Sequence, residues 1–317
     1  MALIGIDAGG TKTAGLVLHQ GRIEGRYRRS TDTSSPDSVL KGLAETCSRL
    51  LEKAASKGLE IEAIGLGIAG FVDYKRGVVT EAPNHPLRNA PVRDILHGEF
   101  GLPVYVDNDA NVAALAEARM GAGKGSRYLV HLTLGTGIGG GIILDGRVYR
   151  GALGAAAELG HMIILENGPL CNCGARGCLE ALASGVAIYR RVEELAMTHN
   201  KSPMTEEFLR NSAHFAAEDV CRYADSGDRL ARNIMEDAGR HLGTGIASLV
   251  NIFNPDVVTL SGGLLGCFRH MEEAMRRTFE ESAIPISRRH VRILTGILGE
   301  DGGALGAALL AISPDSD

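Results

Sequence analysis

Short apolar runs separated by glycine-rich turns open the chain. Residues 3–7 and 14–18 are apolar and short enough to be buried strands, and the polar turn between them contains Gly9 and Gly10. A second turn at Gln20-Gly21 leads to a third strand-like run over residues 22–27. The pattern therefore predicts a β-meander, because the element after the first turn alternates like a strand and not like a helix.

Downstream, apolar residues recur with helical spacing in some segments and form short buried runs in others. Further strands are predicted at residues 63–69, 103–106, 128–134, 142–145, 257–260 and 291–295. Helices are predicted at residues 39–57, 92–100, 111–120, 185–196, 205–212, 218–224, 228–253, 269–281 and 302–312. Residues 80–87 are expected to be irregular. Strands that alternate with helices in this way are typical of an α/β fold.

One hairpin pattern occurs twice. Gly10-Thr11 and Gly135-Thr136 each follow an apolar strand, and each is followed at the same spacing by a Gly-Arg pair, Gly21-Arg22 and Gly146-Arg147. Such a repeat predicts a duplicated domain. The segments that begin at Gly65 and Gly135 also match the dinucleotide-binding glycine pattern. That motif must open a helix, but strand-like residues follow both segments, so neither is expected to bind a dinucleotide in this way.

Composition narrows the class of protein. The chain has 317 residues, of which 44% are hydrophobic and 22% charged, which suffices for two globular domains. Its net charge of -5 provides no basic surface for nucleic acid. The N-terminus has no positively charged leader, and no apolar run reaches the ~20 residues that a membrane span needs. We therefore expect a cytoplasmic protein with no nucleic-acid or membrane partner.

Four potential zinc ligands occur close together in the middle of the chain. They are His161, Cys171, Cys173 and Cys178. Thiolates and imidazole suit a tetrahedral zinc ion, and a site with four protein ligands is structural rather than catalytic. A disulfide cluster or a chance grouping are the alternatives. Glu158 and Glu180 bracket the cluster, so one bound zinc ion per chain would fix where these two carboxylates point.

The other three cysteines are scattered along the sequence. They are Cys47, Cys221 and Cys267. Wide spacing is typical of a protein from a reducing compartment, so we expect separate thiols.

Acidic residues follow two predicted strands. Asp107-Asn108-Asp109 lies where a strand ends and a helix begins, a place where open α/β sheets bind ligands. Helix capping explains one of the three residues, since Asp and Asn are preferred caps. Asp7 ends the first strand beside the glycine turn and is a candidate to hold magnesium, or simply to cap the turn. Backbone N–H groups of such turns bind phosphate.

Taken in order, these motifs resemble the ROK family of sugar kinases, within the actin-like ATPase superfamily. The matching segments are residues 6–12, 107–111, 134–141, 158–161, 171–180 and 261–263. The resemblance covers nearly the whole chain, and its most specific part is the Glu-x-x-His and cysteine signature. It implies an α/β fold of two ribonuclease-H-like lobes with a central cleft. The small lobe would comprise residues 1–107 plus the helix at 302–317, and the large lobe residues 108–301, with the zinc loop at 158–180.

The resemblance also implies roles for individual residues. Asp109 would be the general base in ATP-dependent phosphorylation of a hexose hydroxyl. Sugar hydroxyls would be held by Asn84, Asn108, Glu158, His161 and Glu180. Phosphate and nucleotide, as Mg-ATP, would be bound by Asp7, Gly9, Gly10, Thr11, Lys12, Gly135, Thr136, Gly137, Gly262 and Gly263.

Glucose is the leading expected substrate, with N-acetylglucosamine or N-acetylmannosamine as the alternative. A sugar-sensing repressor of the same family and a catalytically inactive sugar-binding protein are the other two hypotheses. The chain departs from the family pattern at Ala69, Ala157 and His85-Pro86, all near the expected sugar or nucleotide, which leaves the sugar open. Family members are often dimers or tetramers, so a homo-oligomer is expected.

Overall fold

A computed structural model of the chain describes residues 1–83, 85–198 and 201–312. The strands are β1 (Ala2–Ala8), β2 (Lys12–His19), β3 (Arg22–Ser30), β4 (Ile61–Ile68), β5 (Phe71–Asp73), β6 (Val78–Glu81), β7 (Arg88–Ala90), β8 (Val104–Asn108), β9 (Leu129–Leu134), β10 (Ile138–Leu144), β11 (Arg147–Val148), β12 (Val257–Ser261) and β13 (Arg292–Thr295). The helices are α1 (Pro36–Ala55), α2 (Val92–Phe100), α3 (Asp109–Arg119), α4 (Glu180–Ala183), α5 (Gly185–Met197), α6 (Pro203–Asn211), α7 (Ala217–Asp225), α8 (Arg229–Phe253), α9 (Glu272–Ser282), α10 (Pro285–His290) and α11 (Gly302–Leu310). Among these helices, none combines the length and apolar composition that crossing a membrane requires.

The strands form three sheets. Two are five-stranded, in the orders β3-β2-β1-β4-β8 and β11-β10-β9-β12-β13, and the third is the small sheet β5-β6-β7. In the first sheet β1 is antiparallel to β2 and parallel to β4, and β4 is parallel to β8. The predicted α/β class is confirmed, and both Gly-Thr turns connect strands, as the repeat predicts. The sheet β5-β6-β7 was missed, because its strands are very short and residues 80–87 contain Pro83 and Pro86.

Two compact units are present. The first contains residues 1–131, 141–157 and those from 296 onward, and the second contains residues 132–140 and 158–295. The lobe boundary expected at residues 107/108 falls inside the first unit, at the β8–α3 connection. The assignment of two functional lobes stays a prediction.

The first unit buries both faces of its sheet. One face forms a core with α1 and α2, including Ile4, Val17, Leu43, Leu66 and Leu96. The other face packs on α3 and α11, with Leu3, Leu16, Val112, Leu305 and Leu309. Helix α1 begins where Ser35 accepts the Ser38 N–H, and Pro36 occupies its first turn, a favoured start.

Glycines allow α11 to lie directly on this sheet. A Cβ atom at Gly5 would lie 1.9 Å from the carbonyl oxygen of Ala304, and one at Gly65 would lie 1.8 Å from that of Ala307. No real side chain tolerates such a distance. The glycines in the apolar runs of β1 and β4 are therefore required by helix–sheet packing.

In the second unit, the long helix α8 packs on α9 and α7. Asp228 caps α8 by accepting the N–H groups of Leu230 and Ala231.

One expectation about the second unit is wrong: Cys221 and Cys267 are joined in a disulfide and are not separate thiols. Cys221 lies on α7 and Cys267 on the short 3-10 helix at Gly263–His270, and packing of these elements brings the two Cα atoms within 5.6 Å. Their sequence separation of 46 residues concealed the pairing.

Candidate functional site

The β8–α3 junction in the first unit carries the predicted catalytic motif. Asn108 is the N-cap of α3, because its side-chain oxygen accepts the N–H groups of Ala110 and Asn111 at 2.8 and 3.2 Å. Its side-chain amide also donates to the carbonyl oxygen of Gly70 at 3.0 Å. The capping interpretation of this residue is thus confirmed. Both lone pairs of the amide oxygen are used, so at most one N–H remains for a ligand.

Asp109 is the first residue of α3 and lies close to Asp7 at the end of β1. Its carboxylate accepts the N–H of Ala110 at 2.9 Å. Burial raises the pKa of Asp109 above the usual aspartate range, although backbone hydrogen bonds lower it in part. Burial, and then the charge of Asp109, raise the pKa of Asp7 to about 7, against a smaller lowering by Lys12. Two carboxyl groups that share a confined space hold protons more tightly than exposed ones.

The helix α11 closes in on Asp7. A Cβ atom at Gly303 would lie 2.3 Å from Oδ2 of Asp7, so only glycine permits this approach. By contrast, the nearest atom to a Cβ at the preceding Gly302 would be 3.5 Å away, an ordinary contact.

The first glycine turn is closed by its own hairpin. The Gly9 N–H donates to the carbonyl oxygen of Lys12 at 3.0 Å, and the Thr31 hydroxyl donates to the carbonyl oxygen of Gly9 at 2.8 Å. The Thr31 N–H also donates to the carbonyl oxygen of Thr11 at 2.9 Å. The shape of the turn therefore depends on β2 and β3.

Lys12 has a partner that the sequence did not indicate. Its ammonium donates to Glu300 at 3.1 Å, and both side chains are largely exposed. Arg28 contacts the same Glu300 carboxylate, and Arg26 pairs with Asp301 at 2.9 Å. Glu300 therefore competes with phosphate for the Lys12 ammonium.

His85 is a residue near the site that sequence reasoning did not select. Its ring is buried, Nε2 lies 3.1 Å from the carbonyl oxygen of Ala8, and Nδ1 has no hydrogen-bond partner among the described residues. Burial lowers its pKa, against opposing effects of Ala8 and the nearby Asp109, so the ring is neutral at pH 7. The signal in the sequence was its position beside Asn84. Asn84 itself, a predicted sugar ligand, lies outside the described residues.

The second glycine turn has one hydrogen bond of its own, from the Gly135 N–H to the carbonyl oxygen of Gly137 at 3.0 Å, and is also held by other parts of the second unit. The N–H groups of Gly185 and Val186 at the start of α5 donate to the carbonyl oxygens of Gly135 and Thr136 at 2.8 and 3.2 Å. Glu180 accepts the Ile138 N–H at 2.9 Å through Oε2. A Cβ atom at Gly137 would lie 2.3 Å from that same oxygen. Glycine at 137 therefore lets Glu180 reach the backbone.

The predicted metal ligands form one cluster. One potential ligand atom from each of His161, Cys171, Cys173 and Cys178 lies within 4.8 Å of every other. The Sγ atoms of Cys173 and Cys178 are 3.7 Å apart, and Sγ of Cys171 is 3.5 Å from Nδ1 of His161. Ligands about 2.3 Å from a tetrahedral zinc ion lie roughly 3.8 Å apart, so these distances suit zinc.

Glu180 also approaches this cluster, because Oε1 lies 3.8 Å from Sγ of Cys171. It thus lies between the cysteines and the second glycine turn. Glu158 is exposed and directly precedes the short 3-10 helix that contains His161. Within that helix, Gly160 packs on the backbone of Ile138, since a Cβ atom there would lie 2.1 Å from the Ile138 carbonyl oxygen.

The predicted adenosine motif ends β12. Gly262 has a φ of +99°, in the region that favours glycine, and a Cβ atom there would lie 2.2 Å from the carbonyl oxygen of Leu134. Ser261 donates to Thr133 at 3.4 Å. Gly262 is thus packed against the end of β9, next to the second glycine turn. A Cβ atom at Gly263 would meet no atom within 4 Å, which leaves open space above its backbone.

The predicted residues therefore fall into two groups. The first unit brings together Asp7, Asn108 and Asp109, and it also carries the turn formed by Gly9, Gly10, Thr11 and Lys12. The second unit brings together the four metal-ligand candidates, Glu180, Gly135, Thr136, Gly137 and Gly262.

Comparison with known proteins identifies relatives over nearly the whole chain. The chain is 36% identical over 311 residues to the glucokinase of Thermotoga maritima. The alignment covers 97% of this chain and 96% of that protein. It is 34% identical to the crystal structure of a ROK family glucokinase from Streptomyces griseus in complex with glucose and AMPPNP, with a TM-score of 0.82 over 98% of this chain and 99% of that one.

A regulator is among the relatives as well. A putative xylose repressor from Caldicellulosiruptor is 34% identical over 279 residues, covering 87% of this chain and 69% of that protein. Both kinases and a regulator are therefore similar to this chain. The "ROK family" model matches residues 3–313, and with this match over nearly its full length the chain belongs to the ROK family.

Proposed function

We propose that the chain is an ATP-dependent hexose kinase that acts on glucose and yields glucose 6-phosphate and ADP. The observation that carries this proposal is Asp109, a partly buried carboxylate with a raised pKa at the start of α3, in a chain that matches glucokinases over nearly its whole length. A kinase of this kind works in the cytoplasm, where ATP is available.

Asp109 acts as the general base. It accepts the proton of the sugar hydroxyl as that oxygen attacks the γ-phosphorus of ATP, and the bond to the β,γ-bridging oxygen breaks. A raised pKa suits this role, because a base is most effective when its pKa lies near the working pH. Asp7 holds the magnesium ion that accompanies ATP. Phosphoryl transfer depends mainly on positioning and charge stabilisation, which the glycine turns and Lys12 supply.

The sugar is held by the residues that the family resemblance assigns to it. Asn84, Asn108, Glu158, His161 and Glu180 contact its hydroxyl groups. Asn108 contributes through its one uncommitted amide N–H. Glu180 does so while one oxygen stays on the Ile138 N–H, so its position is already set. Preformed contacts of this kind lower the entropy cost of orienting the substrate.

ATP is held by two glycine turns and the strand end at β12. Backbone N–H groups within residues 10–12 and 136–137 contact the phosphates, whereas those of Gly9 and Gly135 close the two turns. Gly262-Gly263 leaves room for the adenosine. Support for the last role comes from the open space above Gly263.

The cysteine cluster would hold one zinc ion per chain in a structural role. Its ligands would be His161, Cys171, Cys173 and Cys178. Zinc would supply a rigid cross-link there. The distances within the cluster support this assignment.

Turnover of Asp109→Asn tests the central role. We expect this variant to lose at least about 1,000-fold in kcat while binding glucose with unchanged affinity, since the amide cannot accept the proton. ADP release measures the first quantity and calorimetry the second. Asp94→Asn, an exposed position on α2, is the control. Near-normal kcat in Asp109→Asn would refute the assignment of the base.

The identity of the sugar is tested with a panel of glucose, mannose, fructose, N-acetylglucosamine and N-acetylmannosamine. We expect kcat/KM to be highest for glucose. The N-acetylhexosamine alternative is favoured by a structure named as a putative N-acetylmannosamine kinase from Listeria monocytogenes, which is 25% identical with a TM-score of 0.81. Sugar binding without turnover of any of the five would instead favour the regulator.

Elemental analysis of protein prepared without added metal tests the zinc site. About one zinc per chain is expected, with loss of thermal stability on chelation. Cys173→Ser should lower the zinc content, whereas Cys47→Ser, on α1, should not. A stoichiometric metal other than zinc, or none, would contradict the proposal.

Light scattering on the same sample tests the proposed dimer or tetramer.

A further inference from the structure

Arg150 and Asp107 form an ion pair inside the first unit. Nε of Arg150 donates to Oδ2 of Asp107 at 2.7 Å, and the side chains are only 9% and 3% exposed. Surface ion pairs contribute little, but a desolvated pair is strongly coupled, since removing one partner leaves the other buried and uncompensated. The Asp107 side chain is thus committed inside the protein.

The guanidinium of Arg150 is fixed on a second side. Its central carbon lies 4.5 Å from the centre of the Tyr74 ring, within the range of a cation–π contact. The loop that carries Arg150 is itself closed, because the Ala156 N–H donates to the Arg150 carbonyl oxygen at 3.2 Å. A Cβ atom at Gly154 in this loop would lie 2.3 Å from the carbonyl oxygen of Val72. Both the side chain and its backbone are therefore held firmly.

The other carboxylate oxygen of Asp107 forms hydrogen bonds at the β8–α3 junction, which carries Asp109. Oδ1 accepts the backbone N–H of Asn108 at 2.7 Å and the side-chain amide of Asn111 at 3.0 Å. These bonds fasten the last residue of β8 and the first turn of α3, on either side of Asp109. The orientation of the Asp109 carboxylate therefore depends on where Asp107 is held.

We propose that Arg150 is a positioning residue for phosphoryl transfer: acting through Asp107, it sets the position of the Asn108–Asp109 turn and hence of the base. The proposal rests on the proposed role of Asp109. Arginine suits the position better than lysine, because its planar group pairs with a carboxylate and stacks on an aromatic ring at once.

The test compares Arg150→Met, Arg150→Lys, Asp107→Asn and the double variant Arg150→Met/Asp107→Asn. Arg49→Met is the control, because Arg49 forms an exposed ion pair with Glu52 on α1. Thermal stability is measured for each variant. The values of kcat, and of KM for both substrates, are then measured well below its melting temperature, and calorimetry gives its affinity for glucose. We expect Arg150→Met to lower kcat about 100-fold with less than about threefold changes in KM, the size of effect that a misplacement of about 1 Å produces. Arg150→Lys should lose about tenfold.

The double variant separates positioning from simple stabilisation. It removes both charges of the Arg150–Asp107 pair, so its thermal stability should recover relative to Arg150→Met while its kcat stays low. Recovery of kcat together with stability would overturn the proposal, as would a wild-type kcat in Arg150→Met. If Arg150→Met does not fold, the kcat of folded Arg150→Lys and of folded Asp107→Asn tests the proposal instead. A failure of the proposed function is recognised separately, by turnover in Asp109→Asn.

Discussion

The two Gly-Thr turns share a sequence motif but are supported differently. The turn at Gly10 is closed by hydrogen bonds within its own meander, through Lys12 and Thr31. The turn at Gly135 is held by the start of α5 and, through Ile138, by Glu180, which also approaches the cysteine cluster. Repeated motifs can therefore keep one backbone shape while their support diverges. The first turn is expected to respond to changes around Asp7 and Glu300, and the second to changes in the cysteine loop.

Among the substitutions that test this comparison of the two turns, Gly303→Ala is expected to have the largest effect. The new methyl group would lie 2.3 Å from Oδ2 of Asp7, so either the carboxylate or α11 must move. We expect a loss of about 100-fold in kcat/KM for ATP, since a shift of about 1 Å has that effect in an active site. Gly302→Ala is the matched control, with an expected change below about twofold, because its nearest neighbour would be 3.5 Å away. Equal effects of the two substitutions would contradict the packing argument.

Glu180→Gln tests the support of the second turn. The glutamine oxygen can still accept the Ile138 N–H, but the hydrogen bond is no longer charge-assisted, a loss of about 1–1.5 kcal/mol. We expect KM for ATP to rise about tenfold. Steady-state kinetics with each substrate varied in turn measures this, and Glu193→Gln on α5 is the control. A rise in KM for glucose alone would show that Glu180 contacts only the sugar.

Asp7→Asn should stabilise the protein at high pH. An ordinary aspartate pKa is 3.8, and in the folded protein that of Asp7 is about 7. The unfolded chain therefore releases the proton first as pH rises from about 4 to about 7, and the folded state loses stability over that range. The asparagine variant does not titrate. Its melting temperature at roughly pH 8 should exceed that of the wild type by on the order of 5 °C.

At roughly pH 4 the difference between Asp7→Asn and the wild type should nearly vanish, because the carboxyl group is then neutral in the folded protein. Differential scanning calorimetry without nucleotide measures both values. A stabilisation of equal size at the two pH values would show that the effect does not arise from titration of Asp7.

The smallest effect is expected from Glu300→Gln. Lys12 and Glu300 form an exposed ion pair, which contributes less than about 1 kcal/mol. Its loss frees the ammonium for phosphate, so KM for ATP should fall about twofold to threefold at low salt and less at high salt. Lys12→Met should raise KM for ATP instead. If both substitutions change KM in the same direction, the two partners do not compete.

Local patterns explain why much of the fold was predictable. The β-meander, the capped start of α3 and the cysteine cluster each depend on residues that are close in sequence. Hydrophobic periodicity and ligand spacing record such contacts directly. The ROK motifs then supplied the α/β fold of the actin-like ATPases, which the relatives share.

What could not be predicted depends on distant packing. The disulfide of Cys221 joins elements that are far apart in sequence, and Lys12 meets Glu300 only because the chain returns to its first sheet. Burial of His85 follows from its contact with the end of β1, which no local pattern encodes. Which of Asp107, Asn108 and Asp109 caps α3 could not be foreseen either, because Asp and Asn are both preferred caps.

Direct packing of α11 on β1 and β4 has a consequence for how the protein folds during synthesis. These first strands leave the ribosome early, yet one face of their sheet is covered by a helix made long afterwards. Until that helix arrives, the nascent sheet exposes Leu3 and Leu16 to water. Glycines at positions 5 and 65 leave no substitute side chains to fill the space. This face of the first unit can therefore be completed only after α11 has been made, late in synthesis.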